Sequence, residues 1–293
     1  MPVSPRSSAV QNKDLDASRY KPVPADARGS AIESPLALAG LIESQIIPRL
    51  LVACRNQSIR PYDIARDRIC ASQAEGFAAI VLRLEAHALM DQVEGFIARG
   101  ASVEAVLVDL LAPAARQIGL WWEEDICDFV DVTMGLWRLQ QIVYELSARI
   151  PGKAPIFGQS RKALFSVFPG SHHSFGTVIV EECFRREGWQ TTVCTTATDR
   201  QLINMVAEHH YDLIGLTITC DNDMINAPAL IGRIRTRSRN PMLGVMVGGR
   251  IFTQSPELAI QIGADATAPD AEQAVKRAEI LLRVLDEKVA TRS

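Results

Sequence analysis

Charge of one sign, paired cysteines and long apolar runs are what this sequence lacks. Its 31 Lys and Arg nearly balance its 34 Asp and Glu, for a net charge of -3. That balance excludes a general electrostatic pull toward nucleic acid or an anionic membrane. The six cysteines, at positions 54, 70, 127, 183, 194 and 220, show no C-x-x-C spacing and no pairing pattern. They read as small buried hydrophobes of a reducing cytosol rather than as a disulfide framework or a zinc site. No apolar run is long enough to span a bilayer, and the N-terminus has no signal-peptide core. The expected location is cytoplasmic, without membrane association. A dinucleotide G-x-G-x-x-G, a Walker A loop and a helix-turn-helix pattern are also missing.

What is present falls into segments of different texture. Residues 1–35 hold Pro2, Pro5, Pro22, Pro24 and Pro35 among polar residues without periodicity. Such a segment buries too little apolar surface to offset its ordering entropy, so a disordered arm is expected. Over residues 36–150 apolar residues recur at helical spacing. Leu38, Leu41, Ile42, Ile46 and Leu50 form one stripe; Phe77, Ile80, Val81, Leu84 and Ala88 form a second. A third, after a Ser102 N-cap, holds Val106, Leu107, Leu110, Leu111, Ala114 and Ile118, with a kink expected at Pro113. The last runs through Val132, Leu136, Leu139, Val143 and Leu146. A four- or five-helix bundle follows from this pattern.

Residues 151–160 read as a linker, opened by Pro151-Gly152. Over residues 161–289 short β-branched runs alternate with helical patterns. The strands expected are Ala163–Phe168, Thr191–Thr195, Leu213–Thr219 and Leu243–Val247, each followed by a helix. The first helix is expected over about residues 173–187 and the last over about 271–287. Alternation at this spacing implies parallel pairing, so the fold class is a helical bundle followed by a doubly wound, Rossmann-like α/β domain. Ligands of such sheets sit at the carboxyl ends of the strands.

Three such ends carry chemistry. Pro169-Gly170-Ser171-His172-His173-Ser174-Phe175-Gly176 follows the first strand, Thr217-Ile218-Thr219 closes the third, and Gly248-Gly249 closes the fourth. A histidine on the first loop can offer one imidazole nitrogen to a metal while the other is held by an oxygen. Gly176 permits a turn, the paired glycines let a bulky ring approach the backbone, and the threonines can hydrogen-bond a buried polar tail. Their order resembles the B12-binding domain of methionine synthase and the methylmalonyl mutases, in which D-x-H-x-x-G, S-x-L and G-G follow one another. Here Ser171-x-His173-x-x-Gly176 stands with Ser for Asp, Thr217-x-Thr219 stands for S-x-L, and Gly248-Gly249 matches the last element.

The resemblance implies cobalamin, as adenosylcobalamin or hydroxocobalamin, bound base-off. Its nucleotide tail would enter the sheet edge beside His172, Phe175 and Gly176, and His173 would be the lower cobalt ligand. Ser171 in the Asp position would support that imidazole less than a carboxylate does. In such modules a preceding bundle covers the corrin through Gly-x-x-Trp and a later Glu-His. This chain has Gly119-Leu120-Trp121-Trp122 and Asp131-Val132 at those places, so Trp121, Trp122 and Asp131 are the candidate cap residues. Asp131 is equally readable as part of a D-x-x-D helix start. His87, the bundle's other candidate, reads as a surface-edge residue.

The stretches Asp109–Arg116, Cys127–Thr133 and Ser171–Gly176 are together similar to the AerR/PpaA family of purple photosynthetic bacteria. That resemblance implies a light-responsive, non-enzymatic cobalamin regulator with a CrtJ/PpsR-type repressor as partner and DNA engaged through it. Haem is the lesser cofactor alternative, and a corrinoid carrier of a methyltransferase system is the rival function. Direct DNA contact would fall to Arg233, Arg235, Arg237 and Arg239, which otherwise read as a solvated helix end.

Overall fold

The computed structural model describes residues 69–154 and 160–290. The expected N-terminal arm and the Leu38–Leu50 stripe lie outside the described residues, as do Cys54 and half of the linker. Four helices build the first layer: α1 (Ala71–Val81), α2 (Ala86–Ala98), α3 (Ala112–Glu123) and α4 (Phe129–Arg149). The second stripe is not one helix, because the chain turns between Val81 and Ala86. Ser102 does act as an N-cap, its hydroxyl accepting from the Ala105 N–H at 3.1 Å. At Pro113 there is no break. The chain runs as a π-helix from Val106 to Leu111 and passes into α3, whose first turn holds the proline where no N–H is needed. The wider π turn keeps Val106, Leu107, Leu110 and Leu111 fully buried.

Five parallel strands follow in the order β2-β1-β3-β4-β5. They are β1 (Lys162–Val167), β2 (Gln190–Cys194), β3 (Leu213–Thr217), β4 (Gly244–Gly248) and β5 (Ala266–Thr267). The helices between and after them are α5 (Phe175–Arg186), α6 (Asp199–Glu208), α7 (Asp221–Arg237), α8 (Arg250–Gln254), α9 (Leu258–Gln261) and α10 (Ala271–Ala290). Strand β5 was invisible to periodicity, since two residues cannot display a pattern. The strand order reverses between β1 and β3, which is where a doubly wound sheet opens a crevice.

Alternation along the strands divides the core in two. Ala163, Phe165, Leu213 and Met246 face α5, α10 and the bundle, forming one continuous cluster with it. Leu164, Ile214, Leu216, Val245 and Val247 face the other way, toward α6, α7 and α8. Phe165 meets Phe184 at a tilt of 59° with ring centroids 4.8 Å apart, and Phe184 meets Trp189 edge-on at 4.9 Å. Gly215, across the ladder from Phe165, is required to be small: a Cβ there would lie 2.6 Å from the Phe165 ring.

A polar network pins the bundle to α5. Buried Arg186 binds Glu104 at 2.7 Å and the Ile150 carbonyl at 2.6 Å. Neighbouring Glu182, also buried, accepts from Ser147 of α4 and from Arg185. The cysteine expectation holds for Cys183, which is buried, but Cys70 and Cys220 are exposed. Among the described residues no helix is long and apolar enough to cross a membrane.

Burial works against the Glu104 charge, yet the Arg186 hydrogen bond holds its carboxyl below the ordinary range. A carboxylate with a lowered folded pKa stabilises the fold above its unfolded pKa and loses that contribution as pH falls through the folded value. Glu104→Gln should therefore destabilise the protein at pH 7, with the difference from wild type shrinking below about pH 4. Arg186→Met, which leaves Glu104 and the Ile150 carbonyl without their partner, should cost about 3 kcal/mol in urea unfolding. A pH-independent Glu104→Gln effect would show that the ion pair contributes nothing through charge.

A cleft at the strand ends as candidate cofactor site

The parallel register brings the strand ends level. Val167 pairs with Thr217, and Thr217 with Gly248, so three loops leave the sheet side by side. From that edge a cleft of about 640 Å³ runs inward between the sheet, α5, α10 and the bundle. His173 lies on its lining with Gly176, Thr217, Thr219, Gly248 and Gly249. Six of the twelve candidate site residues thus meet in one place.

Each is set there for a local reason. Gly170, at φ 89°, turns the chain after β1, and helix α5 begins at Phe175 rather than at residue 173. His173 consequently stands on the loop, exposed, ahead of the helix. The Ser171 hydroxyl lies 3.3 Å from the Thr219 hydroxyl and accepts from the His173 backbone N–H at 3.4 Å. Among the described residues no side chain hydrogen-bonds the His173 imidazole. Ser171 therefore ties the loop to the end of β3 instead of supporting the ring. Deeper in, the hydroxyls of Thr177 and Thr217 share a hydrogen bond of 2.7 Å.

The two glycines of the fourth strand end do different work. Gly249, at φ 137°, lies so close to Ile218 that a Cβ would collide with that carbonyl oxygen. Gly248 and Gly176 have nothing within 4 Å of a would-be Cβ, so their missing side chains are part of the cleft volume. The cleft is also lined by apolar Phe165, Ile179, Val180, Phe184 and Met246. An elongated group with an aromatic end and polar middle, such as the nucleotide tail of cobalamin, suits a slot with an apolar floor and a hydroxyl-lined mouth.

Ser171 reaches the cleft only through its Thr219 contact, and the other five candidates are placed elsewhere. Phe175 buries its side chain in the bundle-side core, and His172 is exposed outside the cleft. Trp121 packs on the bundle core and Trp122 stays exposed. Asp131 forms a reciprocal capping box with Asp128 at the start of α4, accepting from the Asp128 N–H and receiving its carboxylate on the Asp131 N–H. The bundle instead reaches the cleft through Val108, Ala112 and Arg116, which composition and motif gave no reason to choose. His87 is exposed on α2. Among the described residues no three His, Cys, Asp or Glu groups cluster as a metal site, so a metal here would be carried in by its own ligand frame.

Residues 161–279 match the B12 binding domain family. The monomethylamine corrinoid protein of Methanosarcina barkeri superposes with a TM-score of 0.57 at 17% identity, over 73% of this chain and 100% of that one. A weaker likeness, TM-score 0.39 at 14% identity over 71% and 98% of the two chains, joins it to a cobalamin-binding protein of Desulfitobacterium hafniense. An uncharacterized 20.5 kDa protein of the bchF-crtJ intergenic region of Rhodobacter capsulatus is 26% identical over 175 residues, 60% of this chain and 91% of that one.

These comparisons correct the expected partner. A solved structure that shares the fold is a corrinoid protein, and the Rhodobacter relative is uncharacterized. A CrtJ/PpsR-type repressor, and with it the antirepressor, photoreceptor and photosynthesis-gene roles, is therefore withdrawn. Three of the four arginines proposed for DNA are engaged internally as well. Arg233 pairs with Asp199, Arg235 holds Asp265 and the Leu243 and Gly263 carbonyls, and Arg239 binds the Glu208 carbonyl.

Filling the slot gives a direct check. The Cβ of Gly248→Ala meets no protein atom within 4 Å, so that change should leave thermal unfolding unchanged while weakening hydroxocobalamin binding at least tenfold, about 1.4 kcal/mol, in an absorbance titration. Unimpaired binding would place the tail outside this cleft. With residues 161–279 matching the B12 binding domain family, set behind a helical bundle, the chain carries a B12-binding domain and binds cobalamin.

Proposed function

We propose that the chain is a corrinoid carrier: it holds cobalamin and presents the cobalt to a methyltransferase, without performing catalysis alone. One observation carries this reading. His173 stands exposed at the mouth of a slot whose lining comes from three level strand ends and from the bundle, on the fold of a corrinoid protein. When bound, cobalamin supplies a cobalt centre that takes up and gives away a methyl group.

The residues of the chain divide the remaining tasks. His173 would hold the cobalt through an imidazole nitrogen, and Ser171, bound to Thr219, fixes the loop that carries it. Thr217 and Thr177 sit where a tail in the slot would displace their mutual hydrogen bond. The end of α3 and the start of α4 expose Trp122, Ile126, Phe129 and Val130, at 47–70% accessibility. None of the four lies on the cleft lining, so this apolar corner is suited to contact a partner protein rather than the cofactor. The monomethylamine corrinoid protein supports this assignment by its fold.

Titration with hydroxocobalamin should give a histidine-ligated visible spectrum that His173→Ala abolishes and His172→Ala preserves. A spectrum unchanged in His173→Ala would remove the ligand assignment. For the carrier role, the loaded protein is reduced chemically and treated with methyl iodide. The methyl group should then pass to a thiol only after a corrinoid-dependent methyltransferase is added. Retention in the presence of that enzyme would overturn the carrier reading.

A further inference from the structure

The cleft carries two cations that nothing so far has used. Arg116 enters its lining from α3 of the bundle, and Arg250 from the residue directly after Gly248-Gly249. Neither guanidinium has a hydrogen bond or ion pair among the described residues, although most other arginines of the fold do. Both are open to solvent within the cleft. Among the described residues the sole carboxylate on the lining is Asp270, and its Oδ1 is already engaged in capping α10 through the Gln273 N–H at 2.7 Å.

A solvent-facing arginine with no protein partner keeps its donors free to take up an anion. Desolvation on the side of Arg116 that faces the cleft wall lowers its guanidinium from the usual range, with Asp270 opposing this. The adjoining lining is apolar or hydroxylic, so the local field is positive. Guanidinium is also the side chain best matched to phosphate oxygens, with two parallel donors. The two arginines come from different layers, one from the bundle and one from the sheet edge. An anion between them would therefore join the layers at the cleft.

We propose that Arg116 and Arg250 form a two-sided clamp for the phosphodiester of the cobalamin nucleotide tail, making the protein selective for complete cobalamin over nucleotide-free corrinoids. This inference rests on the cobalamin reading above and adds the group by which the tail is recognised. It also gives the bundle a direct contact with the tail, so that a filled slot holds the bundle closer to the sheet edge than an empty one.

The probes are hydroxocobalamin and the corresponding cobinamide, which keeps the corrin ring and cobalt but lacks the phosphodiester. Wild-type protein should bind hydroxocobalamin the more tightly of the two, and the preference should narrow as sodium chloride is raised. Arg116→Gln and Arg250→Gln should each weaken hydroxocobalamin at least about tenfold while leaving cobinamide within twofold. The unchanged cobinamide affinity is itself the control for folding, and Arg116→Lys should recover part of the loss. Equal loss for both corrinoids, or no loss for either, overturns the clamp while leaving cobalamin binding in place. Wild-type protein that binds neither corrinoid overturns the cobalamin reading and the clamp with it.

Discussion

The level ending of β1, β3 and β4 is the constraint on which the rest of the structure depends. Parallel pairing puts Val167, Thr217 and Gly248 in one row, and the loops beyond them can only leave on the same side. Because connections from β1 and β3 diverge to opposite faces, the row opens a crevice rather than a closed turn. Everything with polar chemistry on the cleft hangs from those three points. The Ser171–Thr219 contact ties the first loop to the second, and the packing of Gly249 on the Ile218 carbonyl ties the second to the third. The crevice is thus preorganised before any ligand arrives, which lowers the ordering cost of binding.

A second layer of dependence lies in how the bundle is attached. The apolar cluster on one sheet face continues without interruption into the bundle, and it alone would permit sliding. The network of Glu104, Arg186, Glu182 and Ser147 prevents that, because buried charges tolerate few alternative partners. It sits at the α5 end remote from the capping turn of that helix, so the bundle is anchored at one end of α5 and meets the cleft near the other. Arg116 is carried into the lining by that geometry. A cap fixed at one end and polar at the cleft is suited to respond to what the slot contains.

Much of this was legible in the residues. The change from helical to alternating texture near residue 150, the order of strands and helices, and the three strand-end motifs all follow from spacing and residue type. His173, Gly176, Thr217, Thr219, Gly248 and Gly249 could be gathered from three separate stretches because a parallel sheet must bring successive strand ends to one edge. Local signals also held where the interaction is local, as with the Ser102 and Asp128 caps. The Asp131 carboxylate, read both as a cap residue of the cofactor and as a helix start, is engaged as the latter.

Tertiary contact decided what spacing alone leaves open. Phe175 carries the same motif signal as Gly176 but points into the core, because the α5 start rotates it there. The wall of the cleft formed by the bundle is Val108, Ala112 and Arg116, four residues apart on one helical face, and not the indoles of Trp121 and Trp122. A helical pattern fixes which residues share a face but not which neighbour that face meets. The strand-end chemistry of this protein was therefore determined by its sequence, since chain topology dictates it. The bundle's contribution was decided only by packing, since the angle at which two layers meet is set by the sum of all their contacts.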